Sequence, residues 1–338
     1  MVLCVKVERE RAEAVRQKLL SKELLDGSYV PARDEKFVFF AVKKRTAGFA
    51  FAEKKLMKRE EYGKSLGEEL KGKLTSEELD ELVKSFDIVG DIAVVEIPPA
   101  LAKKQKLIAS AIMKNHHNVK VVAKKTGGTA GEFRIRPIKV IAGAKRTHTI
   151  YREGGCEFEL DINKTYFSSR LGTERGRIAS LVQPREHALV PFAGVGPFAI
   201  RIAKSVPTAK VVGIELNPAA AKYFKSNIER NRCSNVIALK GDVSKLLPGE
   251  YRGCADRVAM PLPKDGMGFL KYCIPCLKKG GILHYYSFGD MANPYEKSKK
   301  ELEDAALKLG RKVSVLIRRV VRPYSKTTVQ VVIDARID

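Results

Sequence analysis

From Tyr166 onward helical and strand patterns alternate. Apolar residues recur at helical spacing over 172–182, an apolar strand follows at 188–192, and a helix opens at Pro197. A strand at 209–214, a helix over 218–231 and a strand at 236–239 continue the series. Strands separated in this way by helices run parallel, because each helix carries the chain back across the sheet. The alternation therefore specifies a doubly wound α/β fold of Rossmann-like type. Two further strand patterns, 312–319 and 328–333, have no helix between them and read as a hairpin closing the sheet edge.

The residues before Tyr166 follow another rule. Residues 3–7 alternate as a strand, 8–24 carry helical spacing, and 36–42 (KFVFFAV) read as a second strand. The charge-dense run from Glu53 to Glu61 reads as a solvated helix face or linker. A second unit begins near Phe86 with an apolar strand over 88–97, stopped by Pro98-Pro99. A helix over 100–114, a strand at 119–123, a basic glycine-rich turn at 124–131 and strands at 133–142, 147–152 and 156–162 complete it. A single core stops growing at roughly 250–300 residues. The 338 residues thus divide into small α+β domains at 1–65 and 66–160 and a Rossmann-like domain at 161–338.

A formal net charge of +24 points to a polyanionic partner, since surface Lys and Arg displace condensed counterions from phosphates. No apolar run reaches the roughly 20 residues that span a bilayer, and Met1-Val2-Leu3-Cys4-Val5-Lys6 starts like a strand, not a secretory signal. Nucleic acid is the partner expected, with no membrane and a cytoplasmic location. Six scattered cysteines argue against a disulfide framework. Cys273 and Cys276 have metal spacing without a second pair, and the neighbouring His116 and His117 cannot share one helix face, so no metal is expected.

The loop Phe192-Ala193-Gly194-Val195-Gly196-Pro197-Phe198 joins an apolar strand to a helix. Gly194 and Gly196 let the backbone turn tightly and approach a ligand. Alone, such a loop is also an ordinary strand–helix turn. The next strand ends in Glu215, followed by Leu216, and a carboxylate there can accept both ribose hydroxyls of a nucleoside. The third strand leads to Asp242 and Val243, where an acid can accept from an adenine amino group. A glycine loop and two acids at the ends of three successive strands point to an adenosyl cofactor rather than a dinucleotide, whose G-x-G-x-x-G is absent.

Several stretches resemble the archaeal and eukaryotic tRNA (guanine-37-N1) methyltransferases and their wybutosine-pathway relatives. They are Tyr166-Phe167-Ser168-Ser169-Arg170-Leu171-Gly172-Thr173-Glu174-Arg175, the loop at 192–198, Gly213-Ile214-Glu215-Leu216-Asn217-Pro218 and Gly281-Ile282-Leu283-His284-Tyr285-Tyr286. The resemblance implies a class I, S-adenosylmethionine-dependent methyltransferase domain behind two small α+β domains. It implies methylation of guanosine 37 next to the anticodon, by a monomer that contacts the anticodon loop and the body of the tRNA. It further implies that Glu174 takes the N1 proton, that Arg134 steadies O6, and that Tyr166 lines the cofactor pocket. By position alone, Glu174 is an acid favouring a helix dipole, Arg134 a phosphate contact and Tyr166 a core residue. The loops near 194, 215 and 242 are expected to converge into a pocket that faces Glu174.

Two positions depart from the family. Val190 stands where an acid precedes the glycine loop, and Pro261, within the expected cofactor pocket, replaces an Asn and offers no side-chain hydrogen bond. They keep two alternatives open: an aminocarboxypropyltransferase using the same cofactor, and a tRNA-binding protein whose catalytic site has decayed.

Overall fold

The computed structural model describes residues 1–58, 65–128 and 131–338. They divide into two compact units, 1–84 with 110–116 and 85–109 with 117–338.

In the first unit strands β1 (Val2–Glu8), β2 (Ala32–Arg33), β3 (Phe37–Ala41) and β4 (Phe51–Lys54) form an antiparallel sheet in the order β2-β3-β1-β4. Both faces are covered. Val5, Val7, Val38 and Phe40 pack with Leu19 of helix α1 (Ala12–Ser21), while Cys4, Phe39 and Ala41 pack with Leu56 on the other side. Glu53 and Lys54, expected in a solvated helix or linker, belong instead to the edge strand β4. Phe51 and Ala52 pair with Val5 and Cys4 and draw the charges after them into the ladder. The part of that charged run at 59–61 lies outside the described residues, as do 129 and 130 of the glycine-rich turn. Two short helices, α2 (Leu66–Leu70) and α3 (Ser76–Glu81), open on reciprocal capping boxes, Ser65 with Glu68 and Thr75 with Glu78.

The second unit carries three sheets. Strands β5 (Asp87–Val89), β6 (Ile92–Val95), β7 (Val121–Lys125) and β8 (Ile138–Gly143) lie in that order, with β6 and β7 parallel; helix α4 (Gln105–Asn115), between them in sequence, has its residues 110–115 in the first unit. The single strand expected over 88–97 is a hairpin. Gly90 turns at a positive φ of 60°, and a side chain there would collide with Thr149 and the Ile150 carbonyl, so the apolar run folds back on itself. The strand expected over 133–142 begins only at Ile138, because 131–134 form a turn in which Arg134 takes a left-handed φ of 53°. A separate hairpin joins β9 (His148–Glu153) and β10 (Cys156–Asp161).

The alternating segment builds helices α5 (Gly172–Leu181), α6 (Pro197–Ser205), α7 (Pro218–Asn231), α8 (Val243–Leu246), α9 (Leu270–Cys273) and α10 (Glu296–Lys308) around seven strands. These are β11 (His187–Pro191), β12 (Lys210–Glu215), β13 (Val236–Lys240), β14 (Ala255–Met260), β15 (Leu277–Asp290), β16 (Val313–Pro323) and β17 (Thr328–Ile337), in the order β13-β12-β11-β14-β15-β17-β16. The first five are parallel; β17 runs antiparallel between β15 and β16. The terminal hairpin closes this end of the sheet, as its pattern foretells, by docking β17 on β15 with β16 outermost. Of the two hairpin strands β16 is the edge, and β17, mostly buried, is interior. One apolar cluster, including Ile178, Val190, Phe198 and Phe224, fills one side of the sheet. A second, including Val258, Leu270, Leu283 and Ile333, fills the other.

Candidate active site

Parallel strands place their carboxyl ends, and the loops that follow them, along one edge of the sheet, where ligands of open α/β folds bind. There Gly194 takes φ 58° and donates its N–H to Glu215 Oε2 at 2.7 Å, while Glu215 Oε1 accepts from the Asn217 N–H at 2.7 Å. Burial pushes the Glu215 carboxyl up, against these amide donors that favour its charge. The Gly241 N–H bonds the Glu215 carbonyl at 2.9 Å, which sets the end of β13 beside the end of β12. Asp242 caps α8 by accepting from the Ser244 N–H and hydroxyl, both at 2.8 Å, and the Ser244 contacts hold it below the usual carboxylate range. Asn217 caps α7 and donates to the Lys164 carbonyl at 2.8 Å, tying the segment before Tyr166 to the same edge.

Around Gly194 the space a side chain would occupy is open, bounded by the Tyr166 carbonyl at 3.8 Å. Gly196 is different. At φ 91° its bare face lies against the Phe224 ring, which clamps the loop onto α7. Phe192 has a left-handed φ of 62° and packs edge-on against Phe269 at 4.8 Å. Val195 is buried, and its carbonyl accepts from Asn227 at 3.0 Å. Leu216 is exposed at the mouth of β12, Val243 is buried in α8, and Pro261 follows β14 in a tight turn closed by the Leu262 N–H on the Met260 carbonyl. Tyr166, read by position alone as core, is 44% exposed. Its segment lines a cavity of about 410 Å³ shared with Lys125, Arg136, Arg170, Arg322 and Tyr324. The loops at 194, 215 and 242 and the Tyr166 segment thus lie together along one edge of the sheet. Val190 is fully buried in the apolar cluster beneath the loop, where an ionised acid would lack a partner.

Arg134 reaches the segment after β14, donating to the Lys264 carbonyl and to Asp265 Oδ2 at 3.2 Å. Glu174 lies at the start of α5 and is 3% exposed. Its carboxylate presents no unpartnered oxygen: Oε1 accepts from the Tyr286 hydroxyl at 2.6 Å and from Arg177 at 2.7 Å, and Oε2 from Arg177 Nε at 3.0 Å. Arg177 also binds Asp334 of β17 at 2.5 Å, and Asp334 binds His284 Nδ1 at 2.6 Å. His284 Nε2 lies 2.8 Å from Arg257, which in turn pairs with Glu186 at 2.8 Å. Arg257 can only donate, so His284 accepts at Nε2 and carries its proton on Nδ1. Burial pushes its protonation down, consistent with a neutral ring. Tyr286 also meets Phe198 edge-on at 5.9 Å, which links Glu174 to the helix behind the glycine loop.

Sequence reasoning singled out none of Arg177, Asp334 and Arg257. Tyr286 and His284 lay inside a recognised stretch without a role. Cys273 and Cys276 are buried packing residues whose thiols burial pushes up, that of Cys276 to about 12. Among the described residues no His, Cys, Asp and Glu group could hold a metal, and no helix is long and apolar enough to cross a membrane.

Residues 149–316 match the TRM5/TYW2 methyltransferase domain, 66–147 the TYW2 N-terminal domain and 4–50 the tRNA methyltransferase 5 N-terminal domain. The tRNA (guanine(37)-N(1))-methyltransferase Trm5b of Pyrococcus abyssi is 39% identical over 338 residues, covering 100% of this chain and 99% of that protein. The chain belongs to the TRM5/TYW2 methyltransferase family. The crystal structure of that Trm5b superposes with a TM-score of 0.75 over 100% of both chains, at 38% identity. The solved complex of aTrm5 and tRNALeu gives 0.72 at 29% identity, over 99% of this chain and 100% of that one. A second branch of the family covers less of the chain. The tRNA(Phe) (4-demethylwyosine(37)-C(7)) aminocarboxypropyltransferase of Methanocaldococcus jannaschii is 34% identical over 62% of this chain and 82% of its own length.

Proposed function

We propose that this chain transfers a methyl group from S-adenosylmethionine to N1 of guanosine 37 in tRNA. The observation that carries the reading is its full-length likeness to a guanine-37-N1 methyltransferase, supported by a glycine loop at Gly194 and the acids Glu215 and Asp242 at successive strand ends. Glu215 would hold the ribose hydroxyls, Asp242 the adenine amino group, and Leu216 and Val243 the adenine faces. Phe192, Val195 and Gly196 would shape the loop, with Tyr166 and Pro261 lining the remainder. When bound, S-adenosylmethionine supplies a methyl carbon already activated by its sulfonium.

The chain's own work is then to place guanine N1 in line with that carbon, to remove its proton and to hold the charge that develops on O6. Glu174 is the base, reached when the guanine displaces part of its present hydrogen bonding. Arg134, held at the segment after β14, steadies O6. The +24 charge and the basic cavity beside Tyr166 draw in the RNA backbone. In this reading 1–65 senses the tRNA body, 66–160 presents the anticodon loop and 161–338 carries out the transfer, by a monomer in the cytoplasm.

Pro261 in place of the family's Asn motivates the aminocarboxypropyl alternative, and nucleoside mass spectrometry separates the two. Incubation of a G37 transcript with enzyme and S-adenosylmethionine is expected to add one methyl to G37. A larger transferred group, or no modification, would overturn the proposal. Glu174→Gln is expected to abolish turnover while retaining S-adenosylmethionine binding.

A further inference from the structure

The chain from Tyr286 through Glu174, Arg177, Asp334, His284 and Arg257 to Glu186 sets three carboxylates against two guanidiniums and a neutral imidazole. Its formal charge is one negative, so it has room for one proton. Glu174 Oε1 is held by both Tyr286 and Arg177, while among the described residues Oε2 is held by Arg177 alone, which makes Oε2 the oxygen for an incoming proton. A buried guanidinium that loses its only counterion is strongly unfavourable. Arg177 would face that loss whenever Glu174 became neutral, were it not for Asp334.

We propose that Asp334 is a positioning residue for the methyl transfer: it keeps hold of Arg177 when Glu174 accepts the guanine proton, so the guanidinium never stands uncompensated. This rests on Glu174 being the base. The step balances. The N1–H proton passes to Glu174 Oε2 as the methyl carbon bonds N1 and parts from sulfur. The sulfonium charge and the carboxylate charge cancel, leaving a neutral thioether and a neutral acid.

Each element packed against Glu174 contributes to its surroundings. Its own helix supplies Arg177, β15 supplies the Tyr286 hydroxyl, and β17 supplies Asp334 through Arg177. Arg175 turns away to Glu153 and the Ser168 carbonyl, and α6 contributes the Phe198 ring against Tyr286. Burial works against the Arg177 charge, but the bonds to Glu174 and Asp334 outweigh it and the guanidinium is held more firmly protonated than usual. Asp334 is held down to about 2 by His284 and Arg177 despite its burial.

The test is single-turnover methylation of G37 transcript against pH in the full chain, with S-adenosylmethionine and tRNA dissociation constants measured alongside. Asp334→Asn leaves Arg177 acting undivided on Glu174, which becomes a weaker base. The rate is expected to fall about tenfold or more and the acid limb to move to lower pH, with both dissociation constants within about twofold. Tyr286→Phe removes one hydrogen bond from the carboxylate while keeping the ring, and should move the acid limb to higher pH. Opposite shifts support the proposal. Unmoved limbs, shifts in one direction, or a rate loss matched by lost cofactor affinity would overturn it. If Asp334→Asn does not fold, Asp334→Ser, smaller and also neutral, takes its place: the same move of the acid limb to lower pH is expected, and an unmoved limb overturns the proposal. Glu174→Gln that retains its rate would instead defeat the assignment of the base.

Discussion

Replacing Glu215 by Ala tests the cofactor site most directly. The carboxylate bonds two backbone amides, Gly194 and Asn217, and the proposed ribose hydroxyls would add two charge-assisted hydrogen bonds. Each such bond contributes about 1.5–3 kcal/mol, so losing two removes about 3 kcal/mol at the low end. At about 1.4 kcal/mol per tenfold, S-adenosylmethionine should bind on the order of a hundredfold more weakly. The two amides also lose their acceptor. With water entering the vacated space this costs about 1 kcal/mol each, or roughly 4–8 °C in Tm for a domain of this size. Calorimetric titration with S-adenosylmethionine reads the first effect, thermal unfolding the second, and tRNA binding should not move. A dissociation constant within threefold of wild type, beside a lowered Tm, would show that Glu215 only staples the glycine loop to β12, and the ribose assignment would fall.

Acidification should weaken cofactor binding in a defined order. Burial raises the Glu215 carboxyl, so its ionised, ribose-binding form is lost at a pH above the ordinary glutamate value of 4.5, while Ser244 keeps Asp242 charged to lower pH. The linked stability effects have opposite signs. Protonating Glu215 relieves a cost of burial, whereas Asp334 contributes stability present above 3.8 that is lost as pH falls towards 2. Titrations from pH 8 to 4 that show constant affinity down to 4.5 would contradict this. Gly196→Ala sets a side chain against the Phe224 ring at φ 91° and should lower stability by about 2–4 kcal/mol in thermal unfolding. An unchanged Tm would mean that the loop is not clamped.

The alternating half of the molecule was legible because its signals are local. The helix over 218–231 has the bounds observed, and Asn217 caps it as its position before Pro218 foretells. Glu215 and Asp242 could be located for the same reason, as Glu215 ends β12 and Asp242 follows two residues after β13. The hairpin at Gly90 was not legible, because an apolar run through a glycine looks continuous until Thr149 and Ile150 are known to press on that turn. The helices α2 and α3 carried readable signals, S-x-x-E and T-x-x-E, that went unread in a charged stretch. The surroundings of Glu174 lie at the other extreme. Arg177 sits one turn away, but Tyr286, Asp334, His284 and Arg257 come from three strands, and only the sheet order brings them together.

The interior position of β17 makes the active-site region a late product of folding. Arg177 and Asp334 are separated by 157 residues of sequence, and β17 can dock only after β15 exists to receive it. A contact of such high order forms slowly, because a long loop must close before any bond rewards it. A refolding chain should therefore regain helical signal well before it regains methylation, with Glu174 and Arg177 spending the interval as an ordinary solvent-exposed ion pair.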